Sequence, residues 1–437
     1  MTQRPNRRDF MKTSALAGVG YWVAGGVSAQ ESNSPNEKVN LASIGVGGKG
    51  DSDSRDAGNQ GNLVAICDVD ERNLDRKGTA FPKAKKFRDY RKMLDAMGKS
   101  IDAVTVSTPD HSHAPASLLY MRAGKHCFTQ KPMSHTIEEA RVMGEVAREK
   151  KLATQMGNQF TADQNLRKCE AIFKSSKPLG TVKAVHIWTN RPVWPQGLDR
   201  PEGEPVPSYL DWGLFLGPAK ERPYNRAYHP FKWRGWWDFG TGALGDMACH
   251  TVNTPYAMLD LRDPTSVVAE SSGHNRETYP NWSIINFEFP ERNGRDALTM
   301  TWYDGGKLPP ADLFEGTQPP PQRSSGALVV GEKGSLHLKG DYAERGLEWL
   351  GVDEPEIEFK RSIGHFDEWI RAIKGGVPAK SNFEEYAGPL TETILLGNLA
   401  IWAGGKKIEW DAKNLEATNA PEVMCIVKKE YYNGYSI

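Results

Sequence analysis

Three stretches carry side chains whose types and spacing suit proton movement and oxyanion stabilisation. The first is Thr129-Gln130-Lys131-Pro132, directly after the strand-like run Lys125-His126-Cys127-Phe128-Thr129. A lysine at a strand end, held by a proline, can hydrogen-bond a substrate hydroxyl and stabilise the alkoxide that develops there. A solvated surface lysine is the plainer reading. The second stretch is Gly240-Thr241-Gly242-Ala243-Leu244-Gly245-Asp246-Met247-Ala248-Cys249-His250. In a helix from about Leu244, Asp246 and His250 share one face at i and i+4. An imidazole beside a carboxylate is a candidate general base for a hydroxyl proton, because its pKa lies near neutrality. Such a pair can equally tie a helix into a core. The third stretch runs from Trp188 to Trp237 and holds six of the 13 tryptophans, interleaved with Arg191, Arg226, His229 and Arg234. Aromatic faces with cationic neighbours suit polyol or sugar rings. Ordinary core packing accounts for about half of these tryptophans. The substrate-binding candidates are Lys131, Arg191, Arg234, Trp236, Trp237, Asp246 and His250.

These groups need a scaffold, and Val39 to Gly50 begins one. The apolar run V-N-L-A-S-I enters a turn in which Gly45, Gly47 and Gly50 fit G-x-G-x-x-G, with Gly48 between them. The first glycine permits a tight turn off a strand, and the second lets a pyrophosphate approach the backbone. The third lets the following helix pack closely, its N-terminal N–H groups toward the phosphates. A second strand, Leu63 to Cys67, ends at Asp68, 23 positions after Gly45. A carboxylate there can accept from ribose hydroxyls and repel a 2′-phosphate, which favours NAD; nearby Arg72 softens that preference and keeps NADP open.

Strands and helices then alternate through residues 38–160, the pattern of a doubly wound parallel sheet. Loops at the carboxyl ends of such strands line the ligand crevice. They supply Thr108, Pro109, His111 and His113, then Gln130 and Lys131, then Asn158 as cofactor-binding candidates. His111-Ser112-His113 has no third partner nearby, so no metal site is expected. Beyond residue 160 the pattern changes. Thr181–Thr189, Ser266–Ser271, Ser283–Phe289, Ala297–Tyr303, Ala327–Val330 and Ser335–Leu338 read as strands, several alternating apolar with polar, which predicts an antiparallel sheet. Phe366, Trp369, Ile370 and Ile373 have helical spacing, as do Leu395, Leu399 and Trp402.

The 437-residue chain has zero net charge and no long basic block, which argues against nucleic acid or an anionic membrane as main partner. At the start, Arg7-Arg8-Asp9-Phe10-Met11-Lys12 precedes a mild apolar run, Ala15 to Val27, and a Val27-Ser28-Ala29 cleavage site. This order predicts a twin-arginine export signal over 1–29 rather than a membrane span, a linker over 30–37, and a periplasmic or otherwise exported product. Five cysteines without C-x-x-C read as core residues rather than a disulfide or zinc framework.

With these residues in view, the chain resembles the Gfo/Idh/MocA oxidoreductases (glucose–fructose oxidoreductase, inositol dehydrogenase and relatives), over roughly residues 38 to 435. The resemblance rests on Gly45 to Gly50, Lys131-Pro132, and Asp246 with His250. It implies an α/β fold: an N-terminal Rossmann NAD(P)-binding domain over 38–160, then an α/β domain over 161–437 with a large open, mostly antiparallel sheet. It implies Lys131, Asp246 and His250 as catalytic residues, His250 being the acid/base, and a homo-oligomer, dimer or tetramer. The family's acid before the lysine is Gln130 here, which keeps hydrogen bonds but drops a charge. The implied activity is NAD(P)-dependent oxidation of a CH–OH group on a sugar, glycoside or polyol. NAD-dependent glycosidases within the family, and a sugar-binding member without chemistry, are the alternatives. Free NAD is scarce outside the cytoplasm, so export implies a cofactor held tightly.

Overall fold

The computed structural model describes residues 38–437; the expected export signal and linker lie outside the described residues. Among the described residues the strands form two sheets. The first contains β1 (Asn40–Ile44), β2 (Asn62–Cys67), β3 (Lys85–Phe87), β4 (Ala103–Val106), β5 (His126–Thr129) and β6 (Thr154–Met156). All pairings are parallel, in the order β3-β2-β1-β4-β5-β6. Every residue of β4, and Leu41 to Ile44 of β1, is buried, as sheets covered on both faces require. Strand order reverses between β1 and β4, so the connections leaving their carboxyl ends part and open a crevice. The short β3 was not legible: Lys85-Lys86-Phe87 has neither alternation nor an apolar run.

One covering helix of this sheet arrives from far along the chain. The His365–Ile373 helix places Phe366, Trp369 and Ile370 against Val39, Leu41 and Phe128. Its apolar i, i+3, i+4 spacing gives the stripe that does this. Trp369 is fully buried and its indole N–H donates to the Ala153 carbonyl at 3.1 Å. Trp369→Ala would cost about 3–5 kcal/mol by the usual cost of such a cavity.

The second sheet holds β7 (Val182–Trp188), β8 (Ser266–Ser271), β9 (Ser283–Phe289), β10 (Leu298–Tyr303), β11 (Gly326–Gly331), β12 (Ser335–Lys339), β13 (Leu347–Leu350), β14 (Ile408–Asp411) and β15 (Glu416–Ala417). Their order is β13-β12-β11-β7-β10-β9-β8-β14-β15, antiparallel except for β7 beside β10. In β9, Ile285, Phe287 and Phe289 point inward and Asn286 and Glu288 outward, matching the sequence alternation. The Gly388–Trp402 helix lies against β8, β9 and the Gly242–Thr251 helix. It approaches so closely that a Cβ on Gly397 would come within 2.4 Å of Leu244 Cδ2. Asn398 donates to the Thr241 carbonyl at 3.0 Å. These contacts fix the helix that carries Asp246 and His250. Four cysteines are buried as expected, whereas Cys425 is exposed.

Candidate active site

A cleft of about 650 Å³ opens at the carboxyl ends of β1, β2, β4 and β5. Its floor is the glycine turn. Gly45 has φ +74°, and a Cβ there would lie 2.6 Å from the Ser107 carbonyl oxygen at the end of β4. A Cβ on Gly50 would lie 2.0 Å from the Gly45 carbonyl oxygen, so helix and turn can close only on glycine. Gly48 has φ +52° and open space in front of it. It precedes the Lys49–Gln60 helix without offering a side-chain cap, and Gly48 and Lys49 line the cleft at that helix N-terminus, an end that favours an anion. These features fit a dinucleotide pyrophosphate.

Asp68 fastens this turn. Its Oδ2 accepts from the Val46 and Gly47 amides at 2.8 and 3.2 Å, and its Oδ1 accepts from the Asp70 amide at 2.9 Å. It also lines the cleft, where a ribose would meet it. Arg72 is occupied elsewhere. Its guanidinium donates to Asp70 at 3.0 and 2.7 Å and stacks 3.4 Å from the Tyr209 ring centroid. It is therefore engaged rather than waiting for a 2′-phosphate.

Lys131 stands at the inner end of the cleft. Its ammonium donates to the Asp246 carboxylate at 2.9 Å and to the Asp246 carbonyl at 2.7 Å, joining residues 115 positions apart. Arg234 Nε donates to the same carboxylate at 3.2 Å, and Arg191 Nε lies 3.9 Å from its other oxygen. Burial opposes the charge on Asp246, but Lys131 and Arg234 outweigh it and bring the carboxyl down to about 2. Three cations around one carboxylate leave positive potential for a developing oxyanion. His250 follows one turn later, buried, with Nδ1 lacking a partner and its ring edge-on to Tyr342 at 4.7 Å. Burial, then Lys131, pushes its pKa well below the ordinary value, which corrects the expectation of a value near neutrality.

Two further carboxylates belong to this site, and sequence reasoning had not singled them out. Asp110 lines the cleft, buried, and accepts from the Thr241 hydroxyl at 2.6 Å. Burial raises its pKa to about 7 against the pull of Thr241, Arg234 and Lys131. Asp53, on the first helix, accepts from Gln130 Nε2 at 2.9 Å, from Ser107 at 2.7 Å and from the Lys49 ammonium. The missing acid before Lys131 therefore has a structural counterpart. Gln130 donates to a buried aspartate that a glutamate would repel. Only the position of Asp110 beside the Thr108-Pro109 turn hinted at the first; nothing in the spacing signalled the second.

Of the expected cofactor and substrate residues, Gly45, Gly47, Gly48, Asp68, Thr108, Pro109, His113, Gln130, Lys131 and Arg234 line the cleft. His113 bridges two turns, its ring nitrogens 2.7 and 2.8 Å from the Pro132 and Thr108 carbonyl oxygens. Gly50, Arg191, Asp246 and His250 are not lining residues, though Asp246 bonds Lys131 and Arg234, which are, and four more expected residues pack elsewhere. His111 is enclosed by Phe215 and Phe239, its ring nitrogens 3.0 and 3.2 Å from their carbonyl oxygens. Asn158 is buried against Ser381 and Asn253. Trp236 donates to the Ala227 carbonyl within an aromatic core, and Trp237 stacks on Tyr279 with ring centroids 3.8 Å apart. The aromatic stretch is thus mostly a self-packed cluster. Leu214, Phe215, Phe231 and Trp233 reach the cleft as its outer wall.

The chain belongs to the Gfo/Idh/MocA oxidoreductase family. Residues 39–158 match the model described as "Oxidoreductase family, NAD-binding Rossmann fold", and residues 176–295 match "Oxidoreductase family, C-terminal alpha/beta domain". Residues 39–158 are accordingly an NAD-binding domain. Among curated proteins, a glycosyl hydrolase family 109 protein of Solibacter usitatus is 29% identical over 152 residues, covering 31% of this chain and 35% of that protein. A levoglucosan dehydrogenase of Pseudarthrobacter phenanthrenivorans is 25% identical over 229 residues, 52% of this chain and 46% of that one. The chain thus spans 35% and 46% of the lengths of these two relatives. The WlbA dehydrogenase of Bordetella pertussis, solved with NADH and UDP-GlcNAcA, shares the fold at TM-score 0.61 and 18% identity, covering 86% of this chain and 99% of its own. Among the described residues no helix is long and apolar enough to cross a membrane.

Proposed function

We propose that the protein oxidises a hydroxyl-bearing ring carbon of a sugar, glycoside or polyol, with a tightly held NAD. The observation that carries this reading is Lys131 at the inner end of the NAD cleft, its ammonium on Asp246 amid Arg234 and Arg191. NAD, when bound, supplies the hydride acceptor. The chain's own residues handle the oxygen and the proton. Lys131, positioned by Asp246, hydrogen-bonds the substrate hydroxyl and stabilises the negative charge as the C–H pair of electrons departs. His250 is neutral at ordinary pH and takes the hydroxyl proton. The carbonyl product is then left with no charge to hold.

Tight retention is supported by a segment, Tyr209 to Asp211, that braces the loop after β2, whose Val69 and Asp70 line the cleft. Glu71 N donates to the Tyr209 carbonyl at 2.9 Å and Asp211 N to the Val69 carbonyl at 3.0 Å, so this segment is laced to the loop after β2. The proposal includes export through the signal expected over residues 1–29, which favours a resident cofactor, and a homo-oligomer formed through the open second sheet. A second reading is favoured by the glycosyl hydrolase family 109 relative. In it, oxidation at C3 of a glycoside permits elimination of the aglycone, water adds, and the hydride returns, giving hydrolysis without net redox. A glycoside panel separates the two. A keto-sugar formed with one equivalent of acceptor consumed supports oxidoreduction; aglycone released without acceptor supports the glycosidase. Neither product from any panel member, with NAD bound, overturns both.

A further inference from the structure

Residues 428–435 lie beyond both family-matched stretches, yet they return to the NAD cleft. Two anchors hold them. The Lys429 ammonium donates to the Glu139 carboxylate at 2.7 Å and to the His111 carbonyl at 3.1 Å, and the Tyr431 hydroxyl donates to the same carboxylate at 2.9 Å. Glu139 is fully buried on the Ile137–Glu149 helix, so its charge depends on that cation. Further on, the Tyr432 amide donates to the Pro218 carbonyl at 3.1 Å, and the Asn433 side chain donates to the Gly217 and Ala219 carbonyls at 2.9 and 3.1 Å. Those carbonyls follow the Trp212–Leu216 helix, whose Leu214 and Phe215 wall the cleft.

A tight turn comes next. Asn433 and Gly434 have φ +58° and +75°, and the Tyr435 amide donates to the Tyr432 carbonyl at 3.0 Å. Asn-Gly is the pair that most readily accepts two successive positive φ angles. The turn lays the Tyr435 ring beside the start of the Tyr90–Met97 helix, 4.5 Å from the Arg91 guanidinium and 6.3 Å from the Tyr90 ring. Tyr435 is partly exposed and lines the cleft with Arg72, Asp89 and Tyr90. The glycine turn fits the pyrophosphate and Lys131 marks the reacting end. The lining beyond Asp68, toward β3, therefore faces the adenosine half of the cofactor.

We propose that Tyr435 is a cofactor-binding residue that covers the adenosine end of NAD, and that residues 428–435 are the strap that holds it there. This rests on the reading of a tightly held NAD and names what holds it. The full chain is loaded with radiolabelled NAD and chased with excess unlabelled NAD. Tyr435→Ala should release the label at least about fivefold faster than the parent, the usual worth of an aromatic ring on a base. Tyr435→Phe keeps the ring face and should stay within about twofold of the parent. Gly434→Val cannot readily keep φ +75° and should also speed release. Contact is read separately by fluorine NMR of the chain carrying fluorotyrosine, the Tyr435 signal being the one missing from Tyr435→Phe. AMP should shift that signal and nicotinamide mononucleotide should not. Release from Tyr435→Ala at the parent rate, or a Tyr435 signal that AMP leaves in place, overturns the proposal. Parent protein that exchanges NAD within seconds removes tight retention, while the ratio of the two rates still decides the role of Tyr435. A chain that binds no NAD overturns both.

Discussion

Replacing Asp110 by asparagine should stabilise the protein increasingly as pH rises from about 4 to about 7, and by a constant amount above that. The Asp110 carboxyl titrates at about 7 in the folded chain against an ordinary 3.8, because burial disfavours its charge more than Thr241, Arg234 and Lys131 favour it. A folded-state pKa raised above the unfolded value means stability is full below about pH 4 and is lost as pH rises through about 7. Each pKa unit is worth about 1.4 kcal/mol, so the full loss is at most about 4 kcal/mol. The asparagine amide would not titrate, and its carbonyl oxygen can still accept from the Thr241 hydroxyl, now 2.6 Å from the carboxylate. The gap between Asp110→Asn and the parent should therefore climb from near zero at pH 4 to about 2–4 kcal/mol by pH 8. Urea unfolding across that range, at matched nucleotide content, measures it. A gap that does not change with pH, or a variant less stable at pH 8, would refute the reasoning.

Lys131→Ala and His250→Ala should each lower kcat/KM at least about a hundredfold on whichever glycoside reacts, since one loses the oxyanion donor and the other the proton acceptor. Near-normal turnover in both would remove these residues from the chemistry. Gln130→Glu would place a carboxylate against Asp53, now 2.9 Å from the glutamine amide nitrogen, and should lower stability by about 1–3 kcal/mol in a thermal melt at pH 7; an unchanged melting curve would show that Asp53 does not set the residue at this position. Gly45→Ala would force a positive φ on alanine and press its Cβ to 2.6 Å from the Ser107 carbonyl oxygen. NAD affinity, by equilibrium titration, should drop at least about tenfold.

Local signals made the nucleotide-binding domain readable. The apolar run of β1, the glycine spacing and an acid ending β2 lie within thirty-odd residues of one another, and each has a steric or hydrogen-bonding reason that holds whatever surrounds it. The Lys131–Asp246 bond is different in kind. No spacing rule joins residues 115 positions apart, and the family resemblance, not periodicity, paired them. Roles that depend on burial were the least legible. His111 had the right loop but faces inward between Phe215 and Phe239, and Trp236 and Trp237 had the right composition but the wrong face. The same holds for protonation. His250 and Asp110 have pKa values set mainly by desolvation, which a sequence does not display. The His365–Ile373 helix was expected from its spacing, yet its docking on the first sheet is a tertiary choice made by the shape of Phe366 and Trp369 against Phe128.

Isotope transfer tests the central claim most directly. The NAD-loaded protein is mixed with a panel of sugars, glycosides and polyols carrying deuterium at each hydroxyl-bearing ring carbon, quenched during turnover, and the released nucleotide is weighed by mass spectrometry. Deuterium in the nicotinamide nucleotide from at least one panel member, absent in Lys131→Ala, is the predicted result under both oxidoreduction and the glycosidase cycle. A nucleotide that is bound yet stays unlabelled across the whole panel would contradict hydride transfer at this site.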